Sequence, residues 1–366
     1  MKAGWELKTL GEVATLQRGF DLPTQDRVSG EFPIVSSSGI IDAHHKGNVR
    51  GPGVVTGRSG SIGNVFFVEE DFWPLNTVLY VKDFHGNDPR FVFHLLSHFD
   101  LKRFATGTGV PTLNRNFVHD ELVNIPPLPE QQRIVGILDE AFEGIATAKA
   151  NAEKNLHNVR ALFESHLQAV FSQRGEGWVE TKLGEIGKVS MCKRIFKEQT
   201  TSVGDIPFYK IGTFGKEANS FIPIEIYHQY RENYPFPNKG EVLISAAGTI
   251  GRRVVYDGKD AYFQDSNIVW VANDQKQILN HYLYHFYGAC EWNSTRGATI
   301  SRLYNDNLRQ IVVAFPKSLH EQQRIAAQLD ALYNETQRLE SIYQQKLTAL
   351  DELKKSLLDQ AFRGEL

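Results

Sequence analysis

The chain has 366 residues, 41% hydrophobic and 23% charged, with a formal net charge of −3 at neutral pH, which is more than one ordinary domain of about 100–200 residues requires. It has no apolar run near the roughly 18 residues of a membrane helix and no signal-type apolar core behind Met1, and its two cysteines, Cys192 and Cys290, lack metal-ligand spacing; a soluble protein of a reducing cytoplasm is expected. No stretch is a strong polycation, so any tight hold on nucleic acid must come from local clusters or from partner subunits.

In chain order, the first half opens on Trp5-Glu6-Leu7-Lys8-Thr9-Leu10-Gly11-Glu12-Val13. Short strands follow at Val54-Val55-Thr56, Val65-Phe66-Phe67-Val68 and Thr77-Val78-Leu79-Tyr80-Val81, rich in β-branched and aromatic residues and bounded by Gly, Pro and Asn. Between the first two lies Gly57-Arg58-Ser59-Gly60-Ser61-Ile62-Gly63. It lacks the lysine and the following helix of a phosphate or dinucleotide loop, so it reads as a tight strand-to-strand turn that can offer polar groups to a ligand. A short helix is expected over 91–99. Pro126, Pro127 and Pro129 then mark the start of a long helix that ends before Gly175.

The second half repeats the first. Trp178 to Ile186 returns the opening at an offset of 173, Gly248-Thr249-Ile250-Gly251 returns Gly60 to Gly63, and Glu321-Gln322-Gln323-Arg324-Ile325 returns Glu130 to Ile134 at an offset of 191. The second copy therefore holds about 18 extra residues, mostly between the opening Trp and the Gly-rich turn. Its strands are Val242-Leu243-Ile244, Arg253-Val254-Val255-Tyr256 and Asn267-Ile268-Val269-Trp270-Val271, and its short helix covers 282–287, with His285 standing where the first copy has His94. Each globular half is α+β. The domains are expected at 1–128 and 175–319, with helices at 129–174 and 320–366.

The two helices carry matching apolar stripes. Ile134, Leu138, Ile145, Leu156, Val159 and Leu162 face Ile325, Leu329, Leu332, Leu339, Leu347, Leu350 and Leu353, at a mean spacing near 3.6 residues. A stripe needs a partner, and the order domain, helix, domain, helix makes antiparallel pairing of the two copies the natural solution.

A search for catalytic chemistry finds none. Asn124-Ile125-Pro126-Pro127-Leu128 departs from an adenine-flipping loop by the inserted Ile125 and the missing aromatic residue. The twelve histidines show no His-x-x-x-His pair with an evident third ligand, so no metal site is expected. What remains are loop residues suited to base edges and phosphates. In the first half these are Arg18, Lys46, Arg50, Arg58, Ser59, Ser61, Asn64, Arg103, Asn114 and Arg115. In the second they are Lys193, Arg194, Lys210, Lys216, Thr249, Arg252, Arg253, Arg296, Arg302 and Asn305, with Asn305 paired to Asn114 at offset 191.

Taken together, the Trp-x-x-x-x-Leu-Gly-Glu-Val/Ile openings, the paired Glu-Gln-Gln-Arg-Ile helix starts and the terminal Phe362-Arg363-Gly364-Glu365-Leu366 resemble the specificity subunits of type I restriction-modification systems over essentially the whole chain. The resemblance implies two target-recognition domains, each reading half of a split double-stranded DNA site, with the paired helices as a ruler. It further implies docking of two methyltransferase subunits and of motor-nuclease restriction subunits, with S-adenosylmethionine, ATP and magnesium belonging to those partners. One departure is His320 in place of Pro129, which leaves the second helix start less firmly fixed. Helices of about 44 residues reach about 65 Å, or about 19 base pairs, and unlike recognition loops make the expected site asymmetric. Two other readings stand beside this one: a protein-binding scaffold whose helices dimerise, and an enzyme with an unrecognised active site.

Overall fold

The computed structural model describes residues 4–107, 111–173, 175–292, 295–296 and 301–366. The chain falls into two compact units, Met1–Lys154 with Tyr343–Leu366, and Asn155–Ile342.

In the first unit a four-stranded antiparallel sheet runs in the order Thr15–Arg18, Val78–Asp83, Gly53–Gly57, Val65–Val68. The central strand Gly53–Gly57 is buried along its whole length, as its run of small and β-branched residues requires. Beside the sheet lie the one-turn helix α1 (Leu10–Val13), α2 (Pro89–His98) and α3 (Arg115–His119). Helix α2 starts where Asp88 accepts from the backbone N–H groups of Arg90 and Phe91 and Pro89 takes a first-turn position that needs no donor. Strand Glu6–Thr9 pairs antiparallel with Leu122–Ile125, which ties the opening segment to the residues entering the long helix α4 (Leu128–Ser172).

The second unit repeats this frame. Its four-stranded sheet runs Gly187–Ser190, Ile268–Asn273, Val242–Ser245, Arg253–Val255, its one-turn helix is α5 (Leu183–Ile186), and Trp178–Lys182 pairs with Val312–Pro316. Part of the surplus sequence forms α6 (Ile224–Asn233), which the sequence reading did not anticipate. Tyr227 on α6 is fully buried and its hydroxyl donates to Asp260, Ile226 and Tyr230 are half-buried, and the other residues of the helix are exposed. Helices α7 (Asn280–Ala289) and α8 (Asn305–Gln310) match α2 and α3, and α9 (Leu319–Arg363) matches α4.

Both long helices have 45 residues, and within each unit they run antiparallel. In the first unit Arg133 donates to the carbonyl of Leu366 at 2.7 Å and Lys149 pairs with Asp351 at 2.7 Å. In the second, Arg160 pairs with Glu340 at 3.2 Å and the Phe163 ring lies 5.6 Å from that of Tyr333. Each core is completed by the far end of the other copy's helix. Leu358 and Ala361 of α9 are buried with Leu10, Phe91, Ile134 and Leu138, and Leu167 and Phe171 of α4 with Tyr282, Phe286, Ile325 and Leu329.

The apolar stripe is seen with two corrections. Ile134, Leu138, Ile145, Ile325 and Leu329 are buried, and Leu156, Val159, Leu332, Leu339, Leu347 and Leu350 are half-buried. Leu162 and Leu353, equivalent positions, face solvent at 67% and 46% exposure. The seam passes instead through Phe163 and Leu167 on α4 and through Leu357 and Leu358 on α9, because there each helix turns its apolar face from its partner helix into a globular core.

The Glu-Gln-Gln-Arg-Ile motif is the junction between body and helix. Buried Gln131 accepts from the Asp88 N–H and donates to Asn87 Oδ1 and the Pro126 carbonyl, at 2.8–3.0 Å. Buried Gln322 accepts from the Leu279 N–H and donates to the carbonyls of Gln277 and Pro316, each at 2.8 Å. Half-buried Glu130 with exposed Arg133 and half-buried Glu321 with exposed Arg324 form i,i+3 pairs on the same turn. The second start is as well held as the first despite His320, since Ser318 accepts from the Glu321 N–H.

Leu138→Ala and Leu329→Ala are therefore expected to cost about 2–5 kcal/mol in their own units, whereas Leu162→Ser and Leu353→Ser stay within about 0.5 kcal/mol, as read by hydrogen exchange in each unit under denaturant. Gln322→Leu strands a buried N–H and two carbonyls, and is expected to cost about 1–3 kcal/mol for each group left unpaired by the same measurement.

Candidate nucleic-acid interface

In the first unit the Gly-rich segment is a turn between strands, as its sequence suggested. Gly60 and Gly63 take left-handed φ of 82° and 85°, and the Gly57 N–H bonds the Asn64 carbonyl across the turn. The backbone of Arg58 is held on two sides: its N–H bonds Thr77 and its carbonyl accepts from Leu113. This brings together residues far apart in sequence. Arg18, Arg58, Thr106, Thr112, Asn114, Arg115 and Asn116 line one groove of about 370 Å³, whose lining, with Leu79 and Leu113, holds three arginines and no acidic residue. Burial, and after it the neighbouring charge of Arg18, holds Arg58 below the ordinary arginine value. Gly60, Ser61 and Asn64 of the same turn line a second hollow, of about 460 Å³, with Lys102.

Other first-half candidates lie elsewhere. Lys46 and Arg50 are exposed on the segment leading to Gly51, outside both hollows, and Ser59 is half-buried in a bridge to Thr112. The guanidinium of Arg103 pairs with Glu121 at 2.7 Å and lies over the rings of Phe104 and Phe99. Asn114, one of the groove residues above, also caps α3, accepting from the Asn116 N–H.

The second unit carries the same groove with other groups in it. Its turn keeps Gly248 and Gly251 at left-handed φ, and Ser245 Oγ replaces the first glycine's space by donating to the Thr249 carbonyl and accepting from the Arg252 N–H. Thr249 is exposed at the tip. Met191, Ser266, Arg302, Leu303, Tyr304, Asn305 and Asp306 line a hollow of about 370 Å³. The backbone bonds fix the correspondence: Leu113 N–H bonds Arg58 where Leu303 N–H bonds Ala246, and α3 follows Asn114 where α8 follows Tyr304. Asn114 thus matches Tyr304, and Asn305 matches Arg115. The offset there is 190, and the expected pairing of Asn114 with Asn305 is corrected. The extra residue that restores 191 lies between Pro316 and Gln322, as the equivalent bonds of Gln131 and Gln322 to Pro126 and Pro316 require.

Several second-half candidates are used internally. Arg253 lies over the Tyr284 ring at 4.6 Å, turned into the body instead of out to a ligand. Arg252 donates to the Phe214 carbonyl, Arg194 pairs with Asp265 at 2.9 Å, and Lys193 and Lys210 lie over Tyr234 and Phe208. Lys216 is exposed beside a separate hollow of about 330 Å³ with Tyr209, Tyr256 and Lys259. Arg296 sits on strand Thr295–Arg296, but its side chain lies outside the described residues.

A clasp that the sequence did not reveal ties each short helix to a long one. On α2, Arg90 pairs with Asp139 of α4 at 2.9 Å and with Glu69 at 2.7 Å, and His94 Nε2 lies 2.9 Å from the same Asp139. On α7, His281 and His285 both meet Asp330 of α9, at 2.6 and 2.8 Å. His281-Tyr282-Leu283-Tyr284-His285 is a His-x-x-x-His spacing, and Asp330 is the third group that the sequence reading did not find. The constant offset of 191, which relates Asp139 to Asp330, was the signal available. Burial holds His94 below the ordinary histidine value, against the pull of Asp139, whose charge it shares with Arg90.

Compared with known proteins, the chain matches the family model of the type I restriction modification DNA specificity domain twice, over residues 2–156 and 175–349. A Haemophilus influenzae protein assigned as a type I restriction enzyme specificity subunit is 38% identical over 335 residues, covering 89% of this chain and 86% of that protein. Among solved structures, a chain of a type I restriction-modification complex superposes with a TM-score of 0.80 at 21% identity, covering 100% of this chain and 99% of the other. The HsdS subunit from Thermoanaerobacter tengcongensis gives 0.62 at 21% identity, covering 100% and 98%. These likenesses establish the fold.

The His94 clasp carries a pH dependence whose sign follows from its lowered pKa. The unfolded imidazole takes up a proton near 6.5 and the folded one only below that, so the stability His94 contributes is complete above about pH 6.5 and is lost as pH falls towards the folded value. His94→Gln is expected to shrink the fall in the first unit's unfolding midpoint between about pH 7.5 and about pH 5, measured by thermal denaturation.

Proposed function

Because the chain belongs to the type I restriction-modification DNA specificity family, with both of its halves matched, we propose that its two grooves read the two halves of a bipartite, asymmetric double-stranded DNA site. The reading domains are residues 1–128 and 175–319, and the helices of 129–174 and 320–366 space them. One observation supports this above all: the same groove is placed by the same backbone bonds in each half, and its functional groups differ. Arg58 and Arg115 of the first stand where the second has Ala246 and Asn305, and Thr112 stands where the second has Arg302. A common frame delivers each groove to equivalent DNA, and unlike side chains give unlike half-sites. Arginine forks suit guanine edges and phosphates, whereas the Asn305 amide and the Tyr304 hydroxyl suit other base patterns.

The chain acts without catalysis of its own. Two methyltransferase subunits dock on it, with restriction subunits completing the nuclease form, and S-adenosylmethionine, ATP and magnesium sit on those partners. The site of action is the cytoplasm; among the described residues no helix is long and apolar enough to cross a membrane. The near-neutral charge fits a subunit whose partners share the neutralisation of phosphate.

Co-expression with a cognate methyltransferase and mapping of methylated adenines in genomic DNA is expected to give a split motif with a fixed gap. Exchange of residues 1–128 for those of a relative changes only one half of it; a motif altered in both halves, or a contiguous one, defeats the reading. In the purified complex Arg18→Ala and Arg58→Ala are each expected to weaken DNA binding by about 1–3 kcal/mol at fixed salt. A phosphate contact lowers the salt slope by about one, and a base contact relaxes one position of the motif.

A further inference from the structure

We propose that His281, His285 and Asp330 form a binding site for a divalent transition-metal ion of the zinc class, which clasps α7 to α9 in the second unit. The two imidazoles lie one helical turn apart on α7 and both present Nε2 to Asp330, at 2.6 Å from Oδ2 and 2.8 Å from Oδ1. Their ligand atoms all lie within 4.8 Å of one another. An ion bound at about 2.0–2.1 Å in tetrahedral geometry holds its ligands about 3.3 Å apart, so each imidazole has to draw back by only about 0.5–0.7 Å from the carboxylate oxygen it now meets. Two imidazoles and one carboxylate select zinc, cobalt, nickel or iron over magnesium and calcium, which prefer all-oxygen sites. The side chains of His281 and Asp330 are 36% and 44% exposed, which gives an ion its entry and leaves a coordination position for water.

The other copy supplies the reason for a cation at this place. There the residue equivalent to His281 is Arg90, whose guanidinium neutralises Asp139 directly. In the second copy the shorter imidazole replaces it, and among the described residues Asp330 meets two histidines and no lysine or arginine. A bound metal ion restores the missing positive charge and links both helices. The buried His285 Nδ1 finds no hydrogen-bond partner among the described residues. Such an outer partner is worth about ten- to a hundredfold in affinity, so the site is expected to bind in the micromolar range, tight enough for a structural clasp and weaker than a zinc finger.

The test uses the untagged full chain, stripped with a chelator and titrated with Co²⁺, whose visible absorption reports four- or five-coordinate binding. One equivalent is expected to produce the band, Zn²⁺ to displace it, and Zn²⁺ to raise the unfolding midpoint of the second unit. His281→Arg rebuilds the first copy's ion pair, so it is expected to keep the metal-free midpoint at or above that of the unaltered chain while losing at least tenfold in Co²⁺ affinity and the whole Zn²⁺ shift. Asp330→Asn, of unchanged size, is expected to lose the band as well. No band at one equivalent, or an equal band in either variant, overturns the site.

Discussion

Where a globular body meets the start of a rigid helix, backbone groups from two directions are taken out of water at once, and each unpaired one costs as much as a lost hydrogen bond. Gln131 and Gln322 resolve this with one neutral side chain that accepts from a loop N–H and donates twice, to an acceptor of the loop and to the proline carbonyl ahead of the helix. A glutamate there would bring a buried charge and no donors. The adjoining Glu130 and Glu321 are half-buried, and each is paired to an arginine of the same turn that offsets its charge. Once the junction fixes the helix direction, the placing of Ile134 and Ile325 in their cores follows, as does that of Asp139 and Asp330 eight residues on, each against its short helix.

Much of this architecture was legible because it rests on periodicity and repetition. The strands at 54–56, 65–68 and 242–244, both long helices and their antiparallel pairing follow from alternation, from the 3.6-residue stripe and from connectivity. The errors share a different cause. Leu162 belongs to the stripe by spacing, but the helix exchanges its partner near that point and Phe163 takes the seam. Asn305 aligns with Asn114 by count, yet a one-residue difference ahead of the long helix displaces it, and only the backbone bonds of Leu113 and Leu303 reveal the shift. Arg253 looks like any loop cation in sequence, whereas its ring partner, Tyr284, is 31 residues away. The candidate site was legible as a set of loop cations and amides; which of them share a groove depended on tertiary contacts.

The charge pattern gains meaning at the same level. A chain of net charge −3 is no polycation, but it gathers Arg18, Arg58 and Arg115 about one groove while pairing or stacking Arg90, Arg103 and Arg194 elsewhere. Duplication fixed the frame, and divergence at a few lining positions changed what the frame presents. The clasp shows the same history, an arginine in one copy and a histidine in the other around a shared aspartate.

The borrowing of helix ends has a consequence for assembly during synthesis. Residues 155–342 form an uninterrupted unit that can close as soon as it has left the ribosome, whereas the first unit, although translated earlier, is missing Leu358 and Ala361 from its core until the segment beyond residue 342 has been made. Its early residues therefore wait with an open apolar face through the translation of everything between. The half that begins first is finished last, so a ribosome stalled or a message cut short late in the chain leaves the second unit whole and the first one exposed.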